Sequence, residues 1–249
     1  MIGNTLGNIE YFNPLQIGGL KLWLDATDPA ANGTQPSNAS AISSWVDKSG
    51  SGNTVTQGTG ASQPTYRTNV LNGKPVVRFD GTNDLMQKTS ATALANTNLI
   101  YFAGILNDNG SGRGTIFDYS NNTITNTGIN LLLEAGGGIH YQAGFFDGVL
   151  DIAMSTTITL PTSIVGYVYN DGTNAFIFIN GVQVATVAAG NIVNTGTRTY
   201  TIGSLFGALA TYFLNGDMGE ILAYNSSQTA AIRLLINRSL GNKWGIAQP

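Results

Sequence analysis

Cysteine is absent from this chain of 249 residues, which excludes disulfide staples, thiolate metal sites and a cysteine nucleophile. Histidine occurs once, at His140. Without cysteine beside it, zinc coordination by the ordinary donor set is excluded. Glutamate occurs only as Glu10, Glu134 and Glu220. Charge of either sign is scarce: 11 Lys and Arg and 14 Asp and Glu make up 10% of the chain, against about 25% in ordinary domains. The net charge of −3 and a pI near 4.9 leave no basic footprint for nucleic acid or for an anionic membrane. No run approaches the roughly 18–20 consecutive apolar residues of a membrane helix. Met1 to Gln16 has neither a basic n-region nor an apolar h-region, so no signal peptide is expected. These absences predict a protein made in the cytosol that does not insert into membrane. Any exit from a cell would come by lysis or specialised export, and a virion surface is one destination that fits.

Hydrophobic residues make up 42% of the chain, so the low charge is not the signature of disorder. A chain of this length buries roughly 70–75% of its unfolded surface without staples. Its polar surface must come from Asn, Thr, Ser, Gln and Gly, which give weak repulsion between copies and many short hydrogen-bonding groups. Residues 1–17 lack sustained periodicity and read as an arm or linker, which leaves 18–249 as one domain. Gly19–Asp25 alternates apolar and polar residues, as a half-buried strand does. From Thr27 to Thr68 the chain reads as a long decorated loop with one short element at Ile42–Lys48. Pro75–Asp80, Leu99–Leu106, Thr115–Tyr119, Gly128–Glu134 and Ile139–Phe145 are further β-type runs between Gly/Asn clusters. Ser163–Tyr169, Ala175–Ile179 and Val182–Val187 are separated by Asn170-Asp171-Gly172 and Asn180-Gly181, the residues that supply positive φ in tight hairpins. They predict a three-stranded antiparallel meander. One helix is expected near the end, with Ser227 as N-cap, Ile232, Leu235, Ile236 and Leu240 on one face, and Gly241 as the stop. Many strands and one late helix predict an all-β sandwich of two antiparallel sheets.

Several stretches, in order, resemble the concanavalin A-like lectin/glucanase superfamily, in its laminin G-like, pentraxin-related branch. They are Leu22-Trp23-Leu24-Asp25-Ala26, Ser44-Trp45-Val46-Asp47-Lys48-Ser49-Gly50, Val77-Arg78-Phe79-Asp80-Gly81-Thr82-Asn83-Asp84, Ala175–Val184, Gly219-Glu220-Ile221-Leu222-Ala223-Tyr224-Asn225 and Leu240-Gly241-Asn242-Lys243-Trp244-Gly245. The resemblance runs from Gly19 onward and implies a two-sheet jelly roll with a C-terminal helix. It leaves function open, because such folds host lectins, adhesion modules, glycosidases and virion components.

No catalytic constellation is expected. Related glucanases carry Glu-x-Asp-x-x-Glu on one strand, and no glutamate of this chain is followed two residues later by aspartate. Asp217 and Glu220, at i and i+3 of a strand, are expected on opposite faces. His140 has no Gly-x-Ser-x-Gly elbow to serve, and Gly110–Gly114 lacks the Gly-Lys-Ser/Thr ending of a phosphate loop. Binding candidates remain. Calcium accepts hard oxygen donors, and Asp80, Asn83 and Asp84 share one loop; Asp25 with Asp28, and Asp47, Ser49 and Asn53, show the same pattern. For stacking on sugar, Tyr141, Phe145, Phe146, Phe206 and Tyr212 lie near loops or strand ends, whereas Trp23, Trp45 and Trp244 are expected in the core. The leading expectation is a non-enzymatic structural or adhesive display protein, a capsid decoration, fibre or tail component of a virus or phage particle. Its partners would be other copies or a particle lattice gripped by the N-terminal arm, and host glycans. The alternative is a soluble carbohydrate-binding module, calcium-assisted or not, with a glycoside hydrolase a distant third.

Overall fold

Side chains two apart on a strand share a face, and Leu20–Asp25 sorts cleanly by that rule. Leu22 and Leu24 are fully buried while Trp23 stays half-buried on the other side. The computed structural model describes residues 12–94, 97–107, 113–120, 129–133, 139–144, 150–154, 158–188, 198–205 and 212–249, with backbone alone for 92, 120, 129–130, 139–144 and 150–154. In chain order the strands are β1 (Leu20–Asp25), β2 (Ser44–Trp45), β3 (Val55–Thr56), β4 (Thr65–Leu71), β5 (Lys74–Asp80), β6 (Met86–Lys88), β7 (Leu99–Leu106) and β8 (Gly114–Ser120). They continue as β9 (Ile129–Leu133), β10 (Ile139–Gly144), β11 (Leu150–Met154), β12 (Thr162–Asn170), β13 (Asn174–Ile179), β14 (Val182–Ala188), β15 (Thr199–Ile202) and β16 (Asn215–Tyr224), before helix α1 (Ala230–Trp244).

The strands form two antiparallel sheets. One runs β14-β13-β12-β7-β16-β5-β4, with β1 also paired to β16; the other runs β11-β10-β9-β8-β15-β6-β3-β2. The expected all-β sandwich with one C-terminal helix is the observed architecture. Between the sheets, Leu22, Leu24, Phe102 and Ile221 belong to one continuous buried cluster with Trp45, Met86, Phe117 and Tyr200. Each such side chain, fully buried, contributes about 1.5–3 kcal/mol of transfer free energy. Among the described residues no helix is long and apolar enough to cross a membrane.

The meander is β12-β13-β14, as the turn residues predict. Asn180 and Gly181 both take positive φ, 48° and 79°, the geometry of a two-residue hairpin turn. The decorated loop of 27–68 holds more structure than expected, since it contains β2, β3 and the start of β4. Asn72 and Gly73, at φ 49° and 80°, turn β4 back into β5. The helix starts later than expected and ends later. Thr229, not Ser227, is the N-cap, its hydroxyl accepting from Ile232 N at 3.3 Å. Gly241 lies inside the helix, under the returning C-terminal segment, and Gly245 at φ 63° makes the stop. Leu235 is 48% exposed, so it does not share the buried face of Ile236 and Leu240.

Helix α1 covers the outer face of the first sheet. The Tyr101 hydroxyl donates to the Arg233 carbonyl at 2.9 Å, and the Arg233 guanidinium stands 3.7 Å above the Tyr169 ring. The described part of the expected arm, 12–17, lies against the same body. Phe12 and Ile17 pack on the core, Pro14 is buried, and the Asn13 side chain caps a short turn by accepting from Leu15 N at 3.0 Å.

Candidate functional site

The outer face of β1 and β16 gathers an ion-pair cluster in this charge-poor chain. Cross-strand register sets Asp25 opposite Glu220 and Trp23 opposite Leu222, so Trp23, Asp25 and Glu220 share one patch. The C-terminal turn of α1 closes over it. Lys243 places its ammonium 2.9 Å from Asp25 Oδ2 and 2.7 Å from Glu220 Oε2. Glu220 is 2% exposed, yet three donors meet its two oxygens. Trp23 Nε1 donates to Oε1 at 2.7 Å, and Trp244 Nε1 donates to Oε2 at 2.9 Å beside Lys243. A second ammonium, Lys48, lies 3.4 Å from Asp25 Oδ2, 3.3 Å from Asp28 Oδ2 and 4.9 Å from the centre of the Trp23 ring. Two of the eleven basic and three of the fourteen acidic residues therefore meet here.

Local sequence explains each placement. Asp47 organises its loop, its carboxylate accepting from the backbone N–H groups of Trp23 at 3.0 Å, Ser49 at 2.9 Å and Asn53 at 2.8 Å. That loop is a closed turn, and it aims Lys48 across Trp23 with Lys48 N donating to Trp23 O at 2.8 Å. Gly219 is an extra residue in β16, where the pairing with β7 shifts between Met218 and Glu220. The bulge leaves room for Trp244, because a Cβ at Gly219 would come within 2.8 Å of its ring.

Electrostatics divide the two carboxyls. Burial opposes charge on Asp25, but Lys243 and the Thr27 donors outweigh it and hold the group below the usual range. Burial pushes Glu220 up, with Lys243 pulling the other way and Asp25 adding to the rise. Burial also works against the charge of Lys243, and the carboxylates of Glu220 and Asp25 overcome it and raise the ammonium's pKa. The three groups that meet the Glu220 oxygens are all donors, which favours the carboxylate at neutral pH.

The bulge corrects one expectation. Asp217 sits opposite Ile105 and Glu220 opposite Ala103, two apart on β7, so the pair shares a face instead of being split across the sheet. They are nevertheless separate units. Asp217 is held by Arg78 in a bidentate pair, Nε to Oδ1 at 2.6 Å and Nη2 to Oδ2 at 2.8 Å. The acidic side chains that do converge are Asp25 and Glu220, with Lys243 between them. Glycosidase carboxyls flank a sugar, whereas an ammonium fills the gap here.

A cavity of about 300 Å³ opens beside this cluster. Trp23, Asp25, Lys48, Glu220 and Lys243 line it together with Ser239 of α1 and with Phe12 and Asn13 from the N-terminal segment. Each ammonium meets two carboxylate oxygens, which leaves one N–H of three to point elsewhere.

The other site residues named from sequence lie away from it. In the loop of Asp80, Asn83 and Asp84, Asp80 Oδ1 accepts from Thr82 N at 2.8 Å and Asn83 N at 3.2 Å, and Asp84 Oδ2 accepts from Asp80 N at 3.0 Å. Burial, with the charge of Asp80, pushes Asp84 up to about 6. Among the described residues no three His, Cys, Asp or Glu side chains are grouped to hold a metal. Tyr212 is half-buried, with the Arg113 guanidinium 5.8 Å from its ring centre. Tyr141 is described only as backbone in β10, and Phe145, Phe146 and Phe206 lie outside the described residues. Trp45 and Trp244 are fully buried as expected, while Trp23 is not, and it lines the cavity. The cluster escaped the sequence reading because its members come from four separate stretches. Its signal was present, for Asp25, Lys48, Glu220 and Lys243 each stand in one of the stretches that carry the resemblance.

No family model matches this chain, and no curated protein matches it. Solved structures do match in fold. The binding domain of botulinum neurotoxin DC, in complex with SialylT, aligns over 89% of this chain and 51% of its own at 13% identity and a TM-score of 0.60. The CBM40 of the Ruminococcus gnavus IT-sialidase aligns over 61% of this chain and 97% of its own, at 15% identity and a TM-score of 0.50. The NanB sialidase of Streptococcus pneumoniae aligns over 63% of this chain at 13% identity and a TM-score of 0.50. This chain spans about a quarter of that sialidase, 26%, and about half of the toxin chain. At such identities the likeness is one of fold, a β-sandwich.

Proposed function

We propose that this chain is a non-enzymatic, lectin-like module that binds a glycan. The observation that carries the reading is the cavity beside β1 and β16, where an indole, two ammoniums with spare donors, a serine and an asparagine surround a space of about 300 Å³. Pockets that hold small ligands start near this volume. An aromatic ring with a few convergent polar groups is what a sugar needs, since its C–H faces are apolar and its rim is hydroxyl. The fold likeness to a toxin binding domain in complex with SialylT and to a carbohydrate-binding domain supports the same reading. Membership of the concanavalin A-like superfamily, laminin G-like branch, is part of it, supported by the two-sheet architecture and by the six stretches named above. The absence of hydrolysis is proposed from Lys243, whose ammonium occupies the position a sugar would need between Asp25 and Glu220.

A glycan array probed with and without chelator tests this. Retention on any glycan class is the expected result, and silence in both arms would overturn it. A loss confined to the chelator arm would bring calcium, with Asp80, Asn83 and Asp84 as the first ligands to mutate. Display on a virus or phage particle is the second reading. The scarcity of charged residues, which lets copies lie close together, favours it. Co-purification with particles is its test, and a free monomer at all concentrations would count against it.

A further inference from the structure

We infer that the cavity selects neutral sugars and disfavours sialylated or sulfated ones, an inference that rests on the glycan-binding reading above. Three carboxylates, Asp25, Asp28 and Glu220, face two ammoniums, Lys48 and Lys243, so the wall behind the cavity carries one net negative charge. The side chains of Asp25 and Glu220 are 5% and 2% exposed, and charges that poorly solvated are weakly screened. An anionic ligand would meet that field in a space partly closed to water.

Hydrogen-bond bookkeeping points the same way. The oxygens of Asp25 and Glu220 are committed to Thr27, Trp23, Trp244 and the two lysines. Among the described residues, the lining offers donors in the two ammoniums, the Asn13 amide and the Ser239 hydroxyl, beside the committed carboxyls of Asp25 and Glu220. Such donors suit the hydroxyl oxygens of a pyranose one at a time. They make no bidentate guanidinium fork of the kind that recognises a carboxylate or sulfate, and no arginine lines the space. Trp23, with Lys48 over its ring, lines the same space and adds apolar area for the C–H groups of the sugar. The volume, about 300 Å³, fits one or two sugar units.

The test is an array that pairs each neutral oligosaccharide with its sialylated and sulfated forms, followed by titration with a neutral methyl hexopyranoside. Two variants accompany the wild type: Ser239→Tyr, which fills the cavity from α1 one turn before Lys243, and Trp23→Phe. Circular dichroism and a thermal melt check that both are folded. Binding is expected to neutral forms, more than tenfold weaker to their sialylated partners, lost in Ser239→Tyr and at least fivefold weaker in Trp23→Phe. Preference for sialylated forms would overturn the selectivity and leave the glycan-binding reading intact. Neutral binding undiminished in a folded Ser239→Tyr would overturn this cavity as the site. No binding to any member of the array would overturn both.

Discussion

At Glu220, three N–H donors converge on two buried oxygens, and one of them, the Lys243 ammonium, is shared with Asp25. Removing the cation leaves two carboxylates side by side in a desolvated patch, and loss of one partner from such an assembly typically costs about 3–5 kcal/mol. Lys243→Met is therefore expected to lower stability by that order, read as a shifted urea midpoint, with Glu220→Gln milder because it also removes a charge. A second residue-scale effect is the pH response of Asp84. Its folded pKa, about 6, lies above the ordinary 3.8, so the native state holds a proton that the unfolded chain has released between those values. Stability from this group is thus greatest at the acid end and falls as pH rises through about 6. Asp84→Asn, which keeps an acceptor for Asp80 N, should gain on the wild type between pH 4 and pH 7. Equal denaturation midpoints for the two proteins across that range would refute the assignment.

At the scale of elements, β16 decides the site. One edge of its ten residues is shared, with 215–218 paired to β5 and 220–224 to β1, and the bulge at Gly219 lies where one partner gives way to the other. Trp244 uses the space above that residue. Gly219→Ala is expected to push the indole away, break its bond to Glu220 and cost about 1–3 kcal/mol as an overpacked core. Because Trp244 is fully buried, the tryptophan emission of the folded protein should shift to longer wavelength. Strand existence was readable for most elements of β7–β14 because Leu, Ile, Val and Phe alternate or run together between Gly/Asn punctuation. The strand β4 was missed, although Asn72-Gly73 carries the same turn code as Asn180-Gly181. Thr65–Leu71 has few apolar residues and its neighbours are polar, so no period stood out. The helix stop was misassigned for a different reason. Glycine ends helices through positive φ, but Gly241 serves close packing, since a Cβ there would meet the Ile246 carbonyl oxygen at 2.8 Å.

For the molecule as a whole, low charge has a colloidal consequence. With −3 at pH 7 and a pI near 4.9, repulsion between copies is weak and vanishes near pH 5. Light scattering should therefore show association that peaks near that pH, and a flat profile would contradict it. Composition and pattern were enough to determine the class of fold, the meander, the presence of one late helix and the absence of thiol chemistry, because each depends on residues near in sequence or on residues that are missing. The site was decided only by tertiary structure. Asp25, Lys48, Glu220 and Lys243 come together through strand register, a one-residue bulge and the landing of a helix, and none of these is encoded within any single stretch of chain.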